Sequence, residues 1–281
     1  MAIKITSDST CDLSAELIEK YNIGIFSLSV ILGGKTYKDG EIDPSDIFAY
    51  IAENGELPKT AAGSSDDYTQ FFDKYVRDCD NLIHFNISSK ASSTHSAACV
   101  AAQKYGGKVL VVDSRALSTG QGLLVLKACD LAKEGLSAQE IVDKINSLRP
   151  LVNTSFVPDA LDYLHKGGRC SLAALIGAKV LKLHPMICEN GEGQLIAKKK
   201  YMGGMSRCIK SYIEDLKAQY PAYDGARCFI THSSADKELV ELAKKSVSEL
   251  FEFDEIIETV AGSIVTSHCG RNTLGVLFIS K

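Results

Sequence analysis

Hydroxyl side chains are concentrated in three short polar segments of this sequence, at residues 60–65, 88–94 and 266–273. Small residues make up most of each segment, and each falls where the pattern predicts the end of a strand or the start of a helix. Ligands of α/β proteins bind at such junctions, where loops surround a crevice with side chains and backbone N–H groups. Hydroxyl donors grouped in this way are suited to holding an anion, such as a carboxylate or a phosphate.

The segment at residues 88–94 has the strongest physical case for binding an anion. A helix is predicted directly after it, over 95–104, so its hydroxyls would lie beside the free N–H groups and the positive dipole end of that helix. The helix consists largely of small apolar residues, which lets a ligand or another backbone approach closely. Simple N-capping by Ser and Thr explains the same composition, so both interpretations stay open on the residues alone.

The motifs of other common chemistries are incomplete or absent in the sequence. Gly34-Lys35-Thr36 has the ending of a phosphate loop, but Ser29 occupies the position of the first glycine, so we predict a hairpin turn there. No dinucleotide fingerprint follows the first strand, no Gly-x-Ser-x-Gly elbow occurs, and the six histidines form no ligand pair for a metal. The nine cysteines include no Cys-x-x-Cys. We therefore predict no cofactor, no metal and no disulfide framework.

Composition narrows the class of protein further. A length of 281 residues suggests two domains at about 150 residues each, and 45% hydrophobic residues are enough for a sizeable core. The 31 Lys and Arg against 35 Asp and Glu leave a net charge of −4, which argues against a nucleic-acid binder. No apolar run reaches the ~18 residues of a membrane span, and the N-terminus enters a strand without a signal-peptide pattern. These features predict a cytoplasmic protein.

Strand and helix signals alternate along the first half of the chain. The predicted strands cover residues 3–6, 23–32, 82–87 and 108–113, the last two being continuous apolar runs typical of buried parallel strands. Helices are predicted over 15–20, 44–53, 95–104 and 138–147. Asp43-Pro44 begins the second of these helices, and a capping box of Ser137 and Glu140 begins the last. An apolar helix face runs from Tyr68 to Val76. Arg149-Pro150 interrupts the pattern and marks the predicted domain boundary.

A second alternating series follows this boundary. Its predicted strands cover 152–157, 227–231, 256–260 and 274–279, together with a hairpin whose two arms cover 186–189 and 195–199. Its predicted helices cover 159–166, 172–181, a helix from 206 onward and 235–250. The fold class is thus α/β: an N-terminal domain (1–151) with a mostly parallel sheet flanked by helices, and a C-terminal domain (152–281) with a mixed sheet and helices.

Taken in order, several segments resemble the motifs of the DegV family across the whole chain. They are Ser7-Asp8-Ser9-Thr10-Cys11-Asp12-Leu13, Pro58-Lys59-Thr60, Ile87 to Thr94, Val112 to Gly122, Phe156-Val157-Pro158-Asp159, Leu161 to Arg169, and His268-Cys269-Gly270 with Thr273-Leu274-Gly275. Each match is short, but all of them occur in the family's order.

The resemblance implies a carrier protein that is not itself an enzyme. Members of the family bind a long-chain fatty acid in a tunnel between the two α/β domains, and its carboxylate would here be held by Thr60, Ser92, His268 and Thr273. A separate kinase then phosphorylates the bound carboxylate with ATP, and the acyl phosphate enters phospholipid synthesis. Arg169 is the candidate for docking this partner. The lysines at 198–200 are candidates for the kinase or for transient contact with lipid head groups, or are a solvated strand end.

The sequence also departs from the family pattern. Ala61-Ala62-Gly63 replaces Ser-Gln-Pro, Ser93 replaces a glycine, and Arg271-Asn272 replaces Pro-Gly, where the added cation either strengthens the anion site or lies on the surface. An alternative function therefore stays open: a stand-alone α/β enzyme that acts on a small carboxylated or phosphorylated metabolite, with His268 as its acid or base.

Overall fold

The computed structural model describes residues 2–169 and 183–281, so the predicted helix over 172–181 lies outside the described residues. Strands and helices alternate through both halves of the chain, which confirms the predicted α/β class. The N-terminal half (residues 2–151) and the C-terminal half (residues 152–281, as far as described) each contribute one large sheet.

The sheet of the N-terminal half has four parallel strands in the order β2-β1-β6-β7. The strands are β1 (Ile3–Asp8), β2 (Gly24–Phe26), β6 (Asn81–Asn86) and β7 (Val109–Asp113). The two apolar runs predicted as buried strands are β6 and β7, and most of β6 is fully buried. All four strands end at one edge, which places the polar segments that follow β1 and β6 side by side.

A second, three-stranded antiparallel sheet extends the N-terminal half. It contains β3 (Ser29–Leu32), β4 (Lys35–Lys38) and β5 (Lys59–Ala61), in the order β4-β3-β5. The prediction of one strand over 23–32 is wrong, because the chain leaves the first sheet after Phe26 and the Leu28 N–H donates to Ser9 Oγ instead of to a strand. The hairpin turn predicted at Gly33-Gly34 is confirmed, with positive φ at both residues. Thr60 lies in β5 and not in a loop.

The helices of the N-terminal half are α1 (Ala15–Lys20), α2 (Pro44–Asn54), α3 (Ser65–Asp73), α4 (Thr94–Ala102), α5 (Thr119–Lys133) and α6 (Ala138–Leu148). Asp43 caps α2 and Ser137 forms the predicted capping box with Glu140 in α6. The aromatic face of α3 is core, as Tyr68, Phe71 and Phe72 are buried. Helix α5 is absent from the predicted elements, because its apolar residues surround the helix and leave no periodic stripe.

The C-terminal half forms a seven-stranded mixed sheet in the order β11-β10-β9-β14-β12-β13, with β8 also paired to β14. The strands are β8 (Val152–Asn153), β9 (Ser155–Val157), β10 (Leu183–Glu189), β11 (Leu195–Met202), β12 (Tyr223–Ser233), β13 (Glu255–Val260) and β14 (Thr273–Ser280). The described helices are α7 (Asp162–Lys166), α8 (Met205–Gln219), α9 (Lys237–Leu250) and α10 (Ser263–Cys269). The polar segment predicted at 266–273 is therefore only partly a loop, since it begins inside α10.

Helix α5 packs between the two large sheets. It contacts β1 and β6 of one sheet and β8, β12 and β14 of the other. Leu124 and Leu126 of α5 lie in one hydrophobic cluster with Phe229 and Leu277 of the C-terminal sheet. The outer faces are covered by α3 and α4 on the first sheet and by α8 and α9 on the second. The domain division at residue 151 stays a prediction, because the hydrophobic cluster around α5 contains residues from both sides of it.

Candidate functional site

A cavity of about 180 Å³ lies between the two halves of the chain. Most of its wall is apolar: Leu28, Ile87 and Leu117 of the N-terminal half, and Leu164, Leu195, Ile264 and Val265 of the C-terminal half. Its polar wall residues include Thr10, Thr60, Ser92, Ser93, Arg169 and His268. Three of the predicted carboxylate-binding residues, Thr60, Ser92 and His268, therefore line one cavity, together with Arg169.

Thr60 and His268 are in direct contact across the boundary between the halves. Thr60 Oγ1 lies 2.9 Å from His268 Nε2, although the two residues are separated by 208 positions. Thr60 is carried by β5, and His268 lies in the last turn of α10. Burial, and to a smaller extent the positive charge of Arg169, lowers the pKa of His268 from 6.5 to about 4. His268 is therefore neutral at pH 7 and offers a hydrogen bond rather than a charge.

Ser92 lies in the turn that leads into α4. Its Oγ is 2.7 Å from Thr94 Oγ1 and accepts a hydrogen bond from the Thr94 backbone N–H at 3.3 Å. Ser93, the N-cap residue of α4, makes no capping bond through its side chain. When the Thr94 hydroxyl donates to Ser92 Oγ, the Ser92 O–H is left to donate into the cavity. Ser92 thus takes part in the turn before α4 and, in that arrangement of the two hydroxyls, keeps a donor at the wall of the cavity.

Arg169 reaches the cavity because of the way in which α7 ends. The Arg169 N–H donates to Leu164 O and the Gly168 N–H to His165 O, which is a Schellman motif with Gly168 at φ 76°. Gly167 lies against the imidazole of His268, and a Cβ there would be 2.5 Å from His268 Nδ1. Gly167 therefore allows the close approach of His268, and Gly168 allows the left-handed turn.

The Arg169 guanidinium joins the two halves at the wall of the cavity. It donates to the backbone oxygen of Gly167 and to that of Ala91, the latter at 3.2 Å. A guanidinium carries five N–H donors, so these two contacts, both within the described residues, do not exhaust its capacity to bind an anion. The half-buried Arg169 is the cationic side chain that lines the cavity within the described residues.

Thr273 and Arg271 do not line this cavity. The Thr273 hydroxyl donates to Cys269 O at 2.8 Å, and the residue lines a smaller, adjoining cavity of about 30 Å³. The two cavities share Leu117, Val265 and Cys269. Arg271 is exposed and pairs with Asp236 at 3.5 Å, so it lies on the surface and not at the anion site.

A buried polar network beneath the cavity was not predicted from the sequence. Asp8 is fully buried, and its carboxylate accepts hydrogen bonds from Thr10, Gln121, Asn86 and the backbone N–H of Ile87. It thereby joins the segment after β1 to the segment after β6, and Thr10 and Ile87 of these segments line the cavity. The position of Asp8 at the end of β1 was the available signal, since polar residues after parallel strands meet at one edge.

The described residues contain no group of three or more His, Cys, Asp or Glu side chains placed to hold a metal ion. Within residues 2–169 and 183–281, no helix is both long and apolar enough to cross a membrane. The cysteines in these ranges are all free, and most are buried. His84 is fully buried, and its Nδ1 lies 2.9 Å from Thr6 Oγ1.

Neutral hydroxyls, a neutral imidazole and one guanidinium thus meet at the wall of a cavity that is otherwise apolar. The hydroxyls and the guanidinium suit the head of an anionic ligand, because hydrogen bonds to a charged group are stronger than those between neutral groups. The leucine and isoleucine wall suits an apolar tail.

Comparison with known proteins gives the same family throughout. The model of the family described as "Uncharacterised protein, DegV family" matches residues 2–281. A DegV domain-containing protein of Caldanaerobacter subterraneus is 31% identical over 281 residues, which is 99% of each chain. Among solved structures, a DegV family protein from Thermus thermophilus with fatty acid binding has a TM-score of 0.93 at 28% identity, with both chains fully covered. A protein from Thermotoga maritima whose structure reveals a fatty acid binding function has a TM-score of 0.85 at 28% identity, again with both chains fully covered. The chain therefore belongs to the DegV family.

Proposed function

We propose that this protein binds a long-chain fatty acid in the cavity between its halves and presents the carboxylate to a separate kinase. The observation that carries the proposal is the Thr60–His268 hydrogen bond of 2.9 Å at the wall of an apolar cavity, with Ser92 and Arg169 on the same wall. The fatty acids bound by the Thermus and Thermotoga proteins support the choice of ligand.

Thr60, Ser92 and His268 would hold the carboxylate through a short chain of donors. In the tautomer that carries its proton on Nε2, His268 donates to Thr60 Oγ1, and the Thr60 hydroxyl then donates to one carboxylate oxygen. The Ser92 hydroxyl donates to the other oxygen. A buried carboxylate without such partners would be costly, and donors that are already in place reduce this cost. Thr273 would act only at a distance, through the end of α10, whose Cys269 carbonyl it contacts.

The apolar wall would supply the affinity. A buried tail of about 14 methylenes contributes on the order of 11 kcal/mol at ~0.8 kcal/mol each, before the costs of association and ordering. The smaller cavity that shares Leu117, Val265 and Cys269 continues the apolar path. The hydroxyls at its wall are engaged with protein groups, as with Ser118 to Asp12 and Thr231 to Thr259, so this end would accept hydrocarbon.

The kinase would act on the head group and leave the tail buried. One carboxylate oxygen attacks the γ-phosphorus of ATP, the bond from that phosphorus to the β-γ bridging oxygen breaks, and ADP leaves as the acyl phosphate forms. Arg169 lines the same cavity, so its guanidinium would face the added phosphoryl group. It remains the proposed docking residue, and the exposed lysines 198–200 of β11 remain candidates for contact with the kinase. ATP as the phosphoryl donor places this reaction in the cytoplasm.

Native mass spectrometry tests fatty acid binding directly. Delipidated protein is mixed with palmitate, and we expect one palmitate per chain. The double variant Thr60→Ala plus Ser92→Ala should lower the affinity at least about 100-fold, since two hydrogen bonds to a charged group are lost. Because Thr60 also bonds His268, the free energy of unfolding should fall by about 1–2 kcal/mol, well short of unfolding the chain.

A matched control is Thr69→Ala plus Ser147→Ala, which removes two hydroxyls that bond to backbone oxygens in α3 and α6. It should leave palmitate affinity unchanged. Retained affinity in the Thr60 and Ser92 variant would show that the carboxylate is placed wrongly. Turnover of a small carboxylated or phosphorylated metabolite by the purified chain, with no lipid bound, would instead favour the stand-alone enzyme with His268 as its acid or base.

A further inference from the structure

Helix α10 lacks a capping side chain of its own. Its N-cap residue is Gly262, and the first backbone N–H groups of a helix have no partner within the helix. Carboxyl groups of the N-terminal half supply the missing acceptors. Asp12 Oδ1 accepts from the Gly262 N–H at 2.9 Å, and Asp39 Oδ1 accepts from the Ser263 N–H at 2.7 Å.

The carboxyl groups of Asp12 and Asp39 hold the first turn of α10 from two sides. Asp39 Oδ1 also accepts from the Ser263 hydroxyl at 2.6 Å. A Cβ on Gly262 would lie 2.8 Å from Asp39 Oδ1 and 3.2 Å from Asp12 Oδ1, so only glycine leaves room for both. Burial, and to a smaller extent the nearby Asp39, raises the pKa of Asp12 to about 8, so at pH 7 Asp12 is mostly uncharged and the two carboxyl groups can lie this close without the repulsion of two full charges.

Asp12 is itself held in place by the start of α5. The residue is buried with φ 49°, and its second oxygen, Oδ2, is 2.5 Å from Ser118 Oγ. Ser118 has φ 53° and ψ −146°, a backbone region that a residue other than glycine adopts only where its surroundings enforce it. The contact therefore links α10 to the central helix α5 through one carboxyl group.

The opposite end of α10 carries His268, which contacts Thr60 of the N-terminal half. Seven residues make α10 only about 10 Å long at ~1.5 Å per residue, so the two ends move together. Ile264 and Val265 lie between them and line the cavity. A tilt of α10 at its N-terminus would thus displace both His268 and part of the cavity wall.

We propose that Asp12 and Asp39 are positioning residues: they hold α10 from its N-terminus and so place the His268 imidazole in contact with Thr60. The proposal concerns the same site as the proposed function, and its effect on ligand affinity rests on that function. The position of the imidazole does not depend on that function, because the contact between His268 and Thr60 forms within the chain without a ligand.

The test is NMR of protein with isotope-labelled histidine, recorded without ligand, with the His268 ring signal assigned through His268→Gln. In Asp39→Ala the His268 signal should shift. In Asp39→Asn, which keeps an oxygen acceptor for Ser263, it should return close to the wild-type position. In the same variants, palmitate affinity should fall about fivefold for alanine, the effect of losing one helix cap, and recover for asparagine.

The control is Ser137→Ala, which removes the cap of α6 and so costs a similar amount of stability far from α10. It should leave the His268 signal and the palmitate affinity unchanged. If Asp39→Ala does not fold, Ser263→Ala removes one donor to Asp39 and should shift the His268 signal in the same direction, by less. An unmoved His268 signal in the Asp39 and Ser263 variants, or an equal shift in Ser137→Ala, would overturn the proposal. Failure of the wild type to bind palmitate would overturn the proposed function alone.

Discussion

Replacement of His268 by glutamine should change how the stability of the protein depends on pH. Burial lowers the pKa of His268 to about 4 in the folded chain, whereas the unfolded chain has the ordinary value of 6.5. Between these two values the unfolded state binds more protons than the folded state. The neutral, buried imidazole of His268 therefore makes its full contribution to the free energy of unfolding above pH 6.5, and this contribution is lost as the pH falls toward 4. Glutamine can accept from or donate to Thr60 without titrating.

The size of the effect follows from the two pKa values. A difference of about 2.5 pH units corresponds to about 3 kcal/mol for the complete titration, at 1.36 kcal/mol per unit. Between pH 7 and pH 5, about 2 kcal/mol of this is lost. The wild type should thus lose about 2 kcal/mol more than His268→Gln over that interval, while the other titrating groups cancel in the comparison.

Urea unfolding followed by far-UV circular dichroism measures this difference, and the absence of tryptophan makes dichroism the better signal. Between pH 7 and pH 8.5 the two proteins should change in parallel, because the imidazole is neutral in both the folded and the unfolded state. Equal losses of stability between pH 7 and pH 5 would refute the reasoning, since they would mean that His268 is charged or open to water in the folded protein.

Three further predictions concern the core and the Asp12 carboxyl. Gly122→Ala should lower the free energy of unfolding by about 1–3 kcal/mol in spite of the better helix propensity of alanine, because its Cβ would lie 2.8 Å from Cys11 O; urea unfolding measures this. Leu124→Ala should cost about 2–5 kcal/mol in the same assay, as its fully buried side chain lies in the cluster shared by both sheets. Burial raises the pKa of Asp12 to about 8, so the folded chain holds this proton more tightly than the unfolded chain. The free energy of unfolding should therefore decline as the pH rises from about 4 to about 8. Asp12→Asn should flatten this decline, which unfolding at a series of pH values measures. A steeper decline in Asp12→Asn would contradict that sign.

Local signals predicted many of the elements. Asp43-Pro44 and Ser137 with Glu140 mark helix starts that the structure contains, because a cap and its helix are neighbours in sequence. The apolar runs of β6 and β7 could also be predicted as buried parallel strands, because a continuous apolar run is itself a local sign of burial on both faces of a sheet.

Where long-range packing decides the structure, the predictions were wrong or missing. Helix α5 has apolar residues on all sides because two sheets pack against it, and the sequence within the helix does not show that a second sheet exists. The strand predicted over 23–32 divides between two sheets at Leu28, whose N–H bonds to Ser9, a contact 19 residues away. Helix α10 lacks a local cap, since its acceptors are Asp12 and Asp39.

By itself, the sequence determined the fold class and the family motifs, and it predicted hydroxyls and one imidazole as donors on segments next to strand ends and helix starts. It gave Arg169 only as a candidate for docking a partner. Only the tertiary structure decided which of them meet. It brings Thr60 to His268 across 208 positions, aims Arg169 inward through the Schellman turn and leaves Thr273 to the adjoining cavity. It also decided the protonation of His268, because the pKa of a buried imidazole depends on its surroundings and not on its neighbours in the chain.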